Sequence, residues 1–341
     1  MSNESTAWLN TQVLIGHTDR RGRAYHYSAD LQGERSNHYS GAIPLADVRN
    51  RLFSWHAELR PIAVDVRAGG LVPEWRTVDG KRAVCRSDDR TGAALALVSE
   101  DYELHQYDEW LLGTAADLVG DELDVRSAGL LRNGAIAWVE LSLPQRLIPD
   151  AGVSFHPNLL LTTSHDGNGA TIYKRTITDV VCDNTRKVAL KEKSPEVRQP
   201  HRPGAALPRV GLSTALGLLH DAAAEFETQV RELVDITVTD LQWDRIVESW
   251  LPLEGCRTPA TRQNMAQRRE RLHHLYREDR RVLPWRGTAH GALQAINTWE
   301  THGPYRRDRV AANAVRLVQG RYDDVDRRAW AMIAGVLDMK L

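Results

Sequence analysis

Residues 159–185 read LLLTTSHDGNGATIYKRTITDVVCDNT, and this stretch decides the fold expected for the chain. Leu159–Ser164 has the aliphatic and β-branched composition of a strand. Asp166-Gly167-Asn168-Gly169 supplies residues that tolerate positive φ and close turns. Ala170–Val181 alternates sufficiently for a second strand, although the alternation does not assign its two faces. The stretch therefore predicts a β-hairpin.

Other segments predict further strands around this hairpin. Pro61–Arg67 and Leu95–Ser99 are short, aliphatic and bounded by glycine or charge. Asn133-Gly134 is a strong short-range hairpin signal and predicts pairing of Ala128–Leu131 with Ala135–Leu143. Residues 75–86 contain a Val-Asp-Gly turn signal and are predicted to form a separate hairpin.

Helical spacing appears in two contexts. Tyr107, Trp110, Leu111, Ala115 and Leu118 predict a helix inside the N-terminal half, which Gly120 ends. A short helix is also expected over TRKVALKEK, residues 185–193. After residue 210 the chain is expected to be helical throughout, with helices near 259–279, 288–300, 306–319 and 324–339.

The first of these C-terminal helices carries a strict heptad pattern. Its apolar positions follow alternating spacings of four and three, over Leu212, Leu216, Leu219, Ala223, Phe226, Val230 and Leu233. Such spacing is typical of a helix packed on its own domain, and equally of a self-association seam. A homo-oligomer formed through helix 212–233 is therefore one expectation.

Residues 194–209 contain four prolines and few apolar residues, which is typical of an exposed, partly extended linker. The sequence predicts an α+β fold with an antiparallel β-sheet domain and packed helices over residues 1–193. The linker then leads to an α-helical domain over residues 210–341.

Composition sets broad limits on function. The 341 residues are 42% hydrophobic and 26% charged, as in ordinary globular proteins. Three cysteines far apart, at 85, 182 and 256, form no C-x-x-C pattern and suit a reducing compartment. The N-terminus lacks signal-peptide features, and no stretch approaches the ~18 apolar residues of a membrane span. We expect a cytoplasmic protein without a membrane partner.

Charge is unevenly distributed along the chain. Residues 1–150 hold 16 Lys and Arg against 22 Asp and Glu, whereas residues 151–341 hold 28 against 23. The richest basic stretch is RTPATRQNMAQRRERLHHLYREDRR, residues 257–281, with eight Arg against three acidic residues. Arginine forks suit phosphate oxygens, and a tyrosine ring can stack on bases. An ordinary solvated helical face with internal ion pairs is the alternative explanation.

The candidate nucleic-acid contacts follow from this stretch and from the second strand of the hairpin. They are Arg268, Arg269, Arg271, Arg280 and Arg281 for phosphates, Tyr276 for base stacking, and Lys174 and Arg175 as secondary contacts. PYRRDR, residues 304–309, adds further basic residues.

The pair His165-Asp166 raises the question of a metal site. Histidine and aspartate are metal ligands, but no spacing identifies further ligands. A turn accounts for the same residues, because aspartate forms Asx-turns and glycine allows positive φ. No metal or other cofactor is expected, and phosphate-binding, nucleophile-elbow and dinucleotide motifs are absent from the sequence.

Four segments together carry a family resemblance. They are YELHQYDEWLLGTAADLV, RSAGLLRNGAIAWVELSLP, LLLTTSHDGNGATIYKRTITDVVCDNTRKVAL and GTAHGALQAINTWETHG. On these motifs the chain resembles the phage/plasmid-like protein family, catalogued as a domain of unknown function and found in phages, prophages and plasmids. The resemblance implies a place among replication and recombination functions but supplies no catalytic residues.

The expected function is single-stranded DNA binding, extended to strand annealing, in phage or plasmid replication and recombination. Two alternatives stay open at this point: a non-enzymatic protein that binds a host or phage partner through the heptad helix, and a metal-dependent hydrolase or nuclease that uses His165 and Asp166. Whether the chain is an enzyme is left open by the sequence.

Overall fold

A computed structural model describes residues 11–18, 36–67, 72–120, 122–143, 155–179, 184–186, 196–207, 211–302 and 321–338. Its strands form two antiparallel sheets, and its later segments are helical. The predicted α+β class is confirmed.

The main sheet is built around the hairpin of residues 155–179. Its strand order is β1-β5-β6-β7-β8-β10, with β9 paired to β8. The strands are β1 (Val13–Ile15), β5 (Asp124–Leu131), β6 (Ile136–Ser142), β7 (Phe155–Ser164), β8 (Thr171–Asp179), β9 (Asn184–Arg186) and β10 (Glu196–Gln199).

The two hairpins predicted in this sheet are present. Leu159 pairs with Arg175, and Leu161 pairs with Tyr173, on either side of the Asp166-Gly167 turn. Ala128 pairs with Val139 around the turn at Asn133-Gly134. Three consecutive residues of that second turn have positive φ, namely Arg132 at 51°, Asn133 at 58° and Gly134 at 96°.

One face of the main sheet carries the principal core. Val139, Leu159, Leu161 and Tyr173 lie on it and pack with buried side chains of three helical segments. These segments are α1 (Leu45–Leu52), a π-helical turn (Asp108–Gly113) continued by α2 (Thr114–Leu118), and α3 (Leu212–Asp235). The helix predicted near residues 107–118 is therefore present, and its first part is a π-helix.

A second, three-stranded sheet has the order β2-β3-β4, with β2 (Ala57–Asp65), β3 (Trp75–Arg86) and β4 (Ala94–Ser99). The prediction of a hairpin within residues 75–86 is wrong, because β3 is one continuous strand between β2 and β4. Its Val-Asp-Gly segment lies at a register shift opposite Pro61 and Ala63, where Gly80 has a φ of 70°. The glycine thus serves a bulge instead of a turn.

The segment predicted as a linker contributes to the main sheet. Glu196–Gln199 forms β10, which pairs with β8, and His201 is buried. Extended proline-rich sequence is compatible with an edge strand, so composition did not separate the two possibilities. The sequence predicts a helix over residues 185–193, but its first two residues, Thr185 and Arg186, belong to strand β9. Residues 187–193 lie outside the described part of the chain.

The heptad helix α3 packs within its own chain. Leu219, Ala223, Phe226, Val230 and Leu233 are buried, and the Phe226 ring meets the Phe155 ring of β7 at 4.8 Å. These five side chains pack inside the chain, so they are not available to a second copy, and an oligomer contact through helix 212–233 stays a prediction without support from their exposure.

The remaining helices form a second core around Trp243, Leu272, Leu293 and Ile333. They are α4 (Asp240–Trp250), α5 (Pro259–Glu278), α6 (Ala289–His302) and α7 (Arg321–Val336). Residues 306–319, predicted to be helical, and the basic residues 304–309 lie outside the described part. None of the helices described is long and apolar enough to cross a membrane.

Candidate nucleic-acid interface

Helix α5 is a well-defined element with little buried surface. Thr258 caps its N-terminus through a reciprocal capping box with Thr261, and Pro259 occupies the first turn. Only Leu272 and Tyr276 of this 20-residue helix are buried. Most of α5 therefore faces solvent and can present charge.

Five arginines of α5 and the segment after it are exposed. None of them has a salt bridge or side-chain hydrogen bond to any residue that the structure describes, and we call them the arginine surface: Arg262, Arg271, Arg277, Arg280 and Arg286. Two of the five, Arg271 and Arg280, belong to the phosphate contacts predicted from sequence. The other three were not singled out because sequence alone does not show which arginines lack partners.

Two further predicted contacts are engaged within the protein. Arg269 donates from Nε to the Leu251 carbonyl oxygen at 2.7 Å, which fastens α5 to the end of α4. Arg281 donates twice to the Asp279 carboxylate, at 2.8 and 2.6 Å. These charge-assisted bonds leave both guanidinium groups less available to a phosphate than those of the arginine surface.

Arg268 has a partner of a different kind. Its guanidinium carbon lies 5.9 Å from the centre of the Trp299 ring on α6, and the side chain is partly buried. Such a cation–π contact holds the side chain between α5 and α6.

The structure contradicts the prediction that Tyr276 stacks on bases. Its ring is buried and stacks on Trp243, with centroids 3.9 Å apart, and its hydroxyl accepts a hydrogen bond from the Gly287 N–H at 2.9 Å. Burial raises the pKa of the Tyr276 hydroxyl. Because both faces of the ring are enclosed by protein, Tyr276 offers no surface for a base, whereas the imidazole of His274 is exposed.

Lys174 and Arg175, the secondary contacts, are also buried. Arg175 lies on the helix-covered face of β8 and donates to both Glu225 carboxylate oxygens of α3, at 3.1 and 2.9 Å. Lys174 is buried on the opposite face of the same strand. The structure contradicts the prediction that these two side chains reach a polyanion, because both are buried, on opposite faces of the strand.

In the turn at residues 165–169, Asp166 organises the backbone, whereas the His165 side chain is buried in the protein. The Asp166 carboxylate accepts hydrogen bonds from the Ser164 hydroxyl at 2.9 Å and from the N–H groups of Asn168 and Gly169 at 2.9 and 3.1 Å. Gly167 has a φ of 74°. This is the Asx-turn that the sequence predicts, and it also explains the aspartate without a metal.

His165 lies beneath the turn instead of in it. Its fully buried ring stacks on Tyr107 at 4.4 Å and approaches His201 edge-on at 6.4 Å. His201 in turn stacks on His105 at 4.0 Å. We call His105, His165 and His201 the histidine cluster. The cluster has no signal in the sequence, because its members lie far apart in the chain and come together only when β10 joins the sheet.

The histidine cluster is held in the neutral form. Desolvation, with a smaller contribution from the neighbouring histidines, lowers the pKa of His105 and of His165 to about 3. His105 bonds Thr171 through Nδ1 at 2.7 Å, and His201 bonds the Glu103 carbonyl oxygen through Nδ1 at 2.8 Å. Across the described residues there is no group of three His, Cys, Asp or Glu placed to hold a metal ion.

A pocket of about 660 Å³ opens beside the Asp166 turn, but its charge differs from that of α5. Arg86 and Arg132 face three aspartates there, Asp88, Asp89 and Asp166. Arg86 is paired with Asp88 at 2.7 Å and Arg132 with Asp166 at 3.3 Å. With both guanidinium groups already paired, this pocket has no surplus positive charge for a polyanion.

In a comparison with known protein families, residues 94–332 match a domain of unknown function, DUF932. This chain belongs to the DUF932 family. No curated protein matches the chain, and no solved structure matches it.

The DUF932 region runs from β4 to α7. It includes the Asp166 turn, the histidine cluster and the arginine surface, and it continues through the segment predicted as a linker. Strands β2 and β3 of the second sheet precede the DUF932 region.

Proposed function

We propose that this DUF932 protein binds single-stranded DNA through the arginine surface of α5, as part of phage or plasmid DNA metabolism in the cytoplasm. The observation that supports the proposal is the set of five exposed guanidinium groups without partners among the described residues. Side chains of this kind are free to exchange their counterions for phosphates.

The charge of this region is unlike that of the whole chain. Residues 257–286 hold nine Arg against three acidic residues, a surplus of six, while the chain as a whole has a net charge of −1. A concentrated positive field of this size attracts a polyanion over about a Debye length and speeds its association.

Preference for a single strand is proposed on the chemistry of the exposed side chains. Guanidinium planes and the His274 imidazole can stack on unpaired bases, which are inaccessible in a duplex. Annealing is the further step in this proposal, and it requires that two strands be held side by side, which more than one copy of the protein would provide.

The test is fluorescence anisotropy of a labelled single-stranded oligonucleotide at several salt concentrations, with an unlabelled duplex competitor. A variant with Gln at Arg262, Arg271, Arg277, Arg280 and Arg286 should bind at least tenfold more weakly. The slope of log K against log salt should also flatten by about 0.7 for each lost phosphate contact.

A matched control keeps the total charge change and moves it elsewhere. It carries Gln at five other exposed arginines, Arg49, Arg76, Arg90, Arg202 and Arg231. Its affinity should stay close to that of the parent protein. Equal affinity of the parent and a folded α5 variant would refute the assignment, and equal competition by duplex would refute the strand preference.

A role in binding another protein has separate support. Five of the eight large hydrophobic side chains that are most exposed in the described structure lie on the second sheet or directly beside its strands, at Val64, Val66, Val72, Trp75 and Leu97. The contact expected from sequence was helix 212–233, of which five heptad side chains are buried within the chain. The metal-dependent hydrolase has no comparable support, since no described ligand group exists.

A further inference from the structure

The second sheet ends in a projecting ribbon. Strand β4 pairs with β3 only at residues 81–85, so beyond Lys81 the sheet narrows to two strands. The pairing of β2 with β3 continues through Asp65 and Trp75, and the Val66 N–H bonds the Glu74 carbonyl oxygen at 2.8 Å. We call residues 61–67 and 72–81 the arm.

Both faces of the arm expose apolar side chains. Directly paired residues share a face, so Val64 lies with Arg76 on one face, and Trp75 lies with Asp65 on the other. Trp75 is 64% exposed, and Val64 is 49% exposed. A two-stranded ribbon that is open on both faces is marginally stable in water, and exposed clusters of this kind mark interaction sites.

The charges of the arm do not favour a polyanion as its partner. Arg67, Arg76 and Lys81 are balanced by Asp65, Glu74 and Asp79. Arg67 and Arg76 both reach Glu74, at 2.7 and 3.3 Å, so the balance is local. A surface with an apolar centre and no net charge does not repel a second copy of itself, which favours a two-fold contact between identical copies over a contact with a highly charged partner.

The manner of contact is also limited by the arm. Pro61 lies in β2, which is an edge strand of this sheet, and proline lacks the N–H needed to extend a ladder. Strand addition along the β2 edge is therefore disfavoured, whereas the apolar side chains on the two faces of the arm are exposed.

We infer that the arm is a self-association surface that packs its Val64 and Trp75 faces against a second copy of this chain. This inference does not depend on nucleic-acid binding. It supplies an alternative to the buried heptad helix as the contact between copies.

The test is sedimentation velocity of the full chain without nucleic acid, over a wide concentration range. The parent protein should shift from monomer to dimer as concentration rises. A Val64→Glu, Trp75→Glu variant should raise the dimer dissociation constant by roughly tenfold or more, as expected when central interface residues are lost. Circular dichroism should be unchanged, since both positions are exposed.

Leu241→Glu is the matched control, because Leu241 is also 64% exposed but lies on α4. It should dimerise like the parent protein. A parent that stays monomeric throughout, or an arm variant that dimerises equally well, overturns the inference. A monomeric parent whose arm variant loses DNA affinity would assign the arm to nucleic acid instead, and also overturns it.

Discussion

The imidazole rings of His105 and His201 lie face to face, with centroids 4.0 Å apart and planes at 26°. The stack continues on both sides, to Trp110 at 3.5 Å from His105 and to Tyr102 at 4.7 Å from His201. It joins the loop before the π-helical turn to the segment after β10. Two imidazoles in such contact cannot both carry a proton without mutual repulsion.

The first prediction concerns pH. The histidine pKa is near 6.5 in the unfolded chain and about 3 in the folded chain for His105 and His165, so the unfolded state binds more protons between these values. The contribution of these two neutral histidines to stability is therefore fully present above pH 6.5, and it is lost as the pH falls from 6.5 towards 3. Each of these two histidines should lower the free energy of unfolding by about 1.4 kcal/mol for each pH unit that the pH falls within that window.

Urea unfolding between pH 7.5 and 4.5 measures this dependence. A His165→Phe variant keeps an aromatic ring against Tyr107 but removes one titrating group. Its stability should fall less steeply than that of the parent protein over the same range. Parallel curves for the two proteins would show that His165 is protonated equally in the folded and unfolded states.

The second prediction concerns Asp166. Asp166→Ala removes the acceptor for the Ser164 hydroxyl and for two backbone N–H groups, and frees Arg132. We expect a loss of about 1–3 kcal/mol, because these donors lose their partner at a largely buried site. The loss should be the same with a chelator present and with divalent metal added. A thermal shift caused by metal in the parent protein alone would instead support a metal site.

The third prediction tests the buried position of Arg175. Glu225→Ala leaves the guanidinium of Arg175, whose side chain is 5% exposed, without its carboxylate partner. Unfolding should become easier by about 1–3 kcal/mol, while DNA affinity stays within twofold. Glu227→Ala is a suitable control, since Glu227 pairs with exposed Arg231 on the same helix, and its loss should cost a few tenths of a kcal/mol. Stronger DNA binding by the Glu225 variant alone would mean that Arg175 can reach a phosphate.

The fourth prediction concerns a close contact in the main sheet. A Cβ added at Gly129 would lie 2.1 Å from the Trp138 ring on the neighbouring strand. Gly129→Ala should therefore destabilise the protein by about 2 kcal/mol or more, as overpacking in a core does. Gly217→Ala, at an exposed position of helix α3 where an added Cβ has nothing within 4 Å, should stabilise the protein by about 0.5–1 kcal/mol. Thermal unfolding of the two variants in parallel measures both effects, and equal shifts would contradict the packing of Trp138 on Gly129.

Local sequence by itself determined the two central hairpins, the Asx-turn at Asp166 and the helices of the C-terminal half. These features depend on strand alternation, turn chemistry and helical periodicity, all of which act between residues near in the chain. The Val-Asp-Gly segment at Gly80 shows the limit, because a glycine with positive φ serves a turn and a bulge equally well. Residues 75–86 form one continuous strand because they pair with β2 on one side and, over residues 81–85, with β4 on the other.

Only the tertiary structure decided which charged and aromatic residues are available for binding. Tyr276 and Arg175 have the chemistry of nucleic-acid contacts, yet Trp243 and Glu225, distant in sequence, cover and pair them. The histidine cluster likewise exists only because β10 brings His201 to His105. Exposure depends on segments that meet after folding, so residue type and spacing predicted the arginine helix but not which of its arginines remain unpaired.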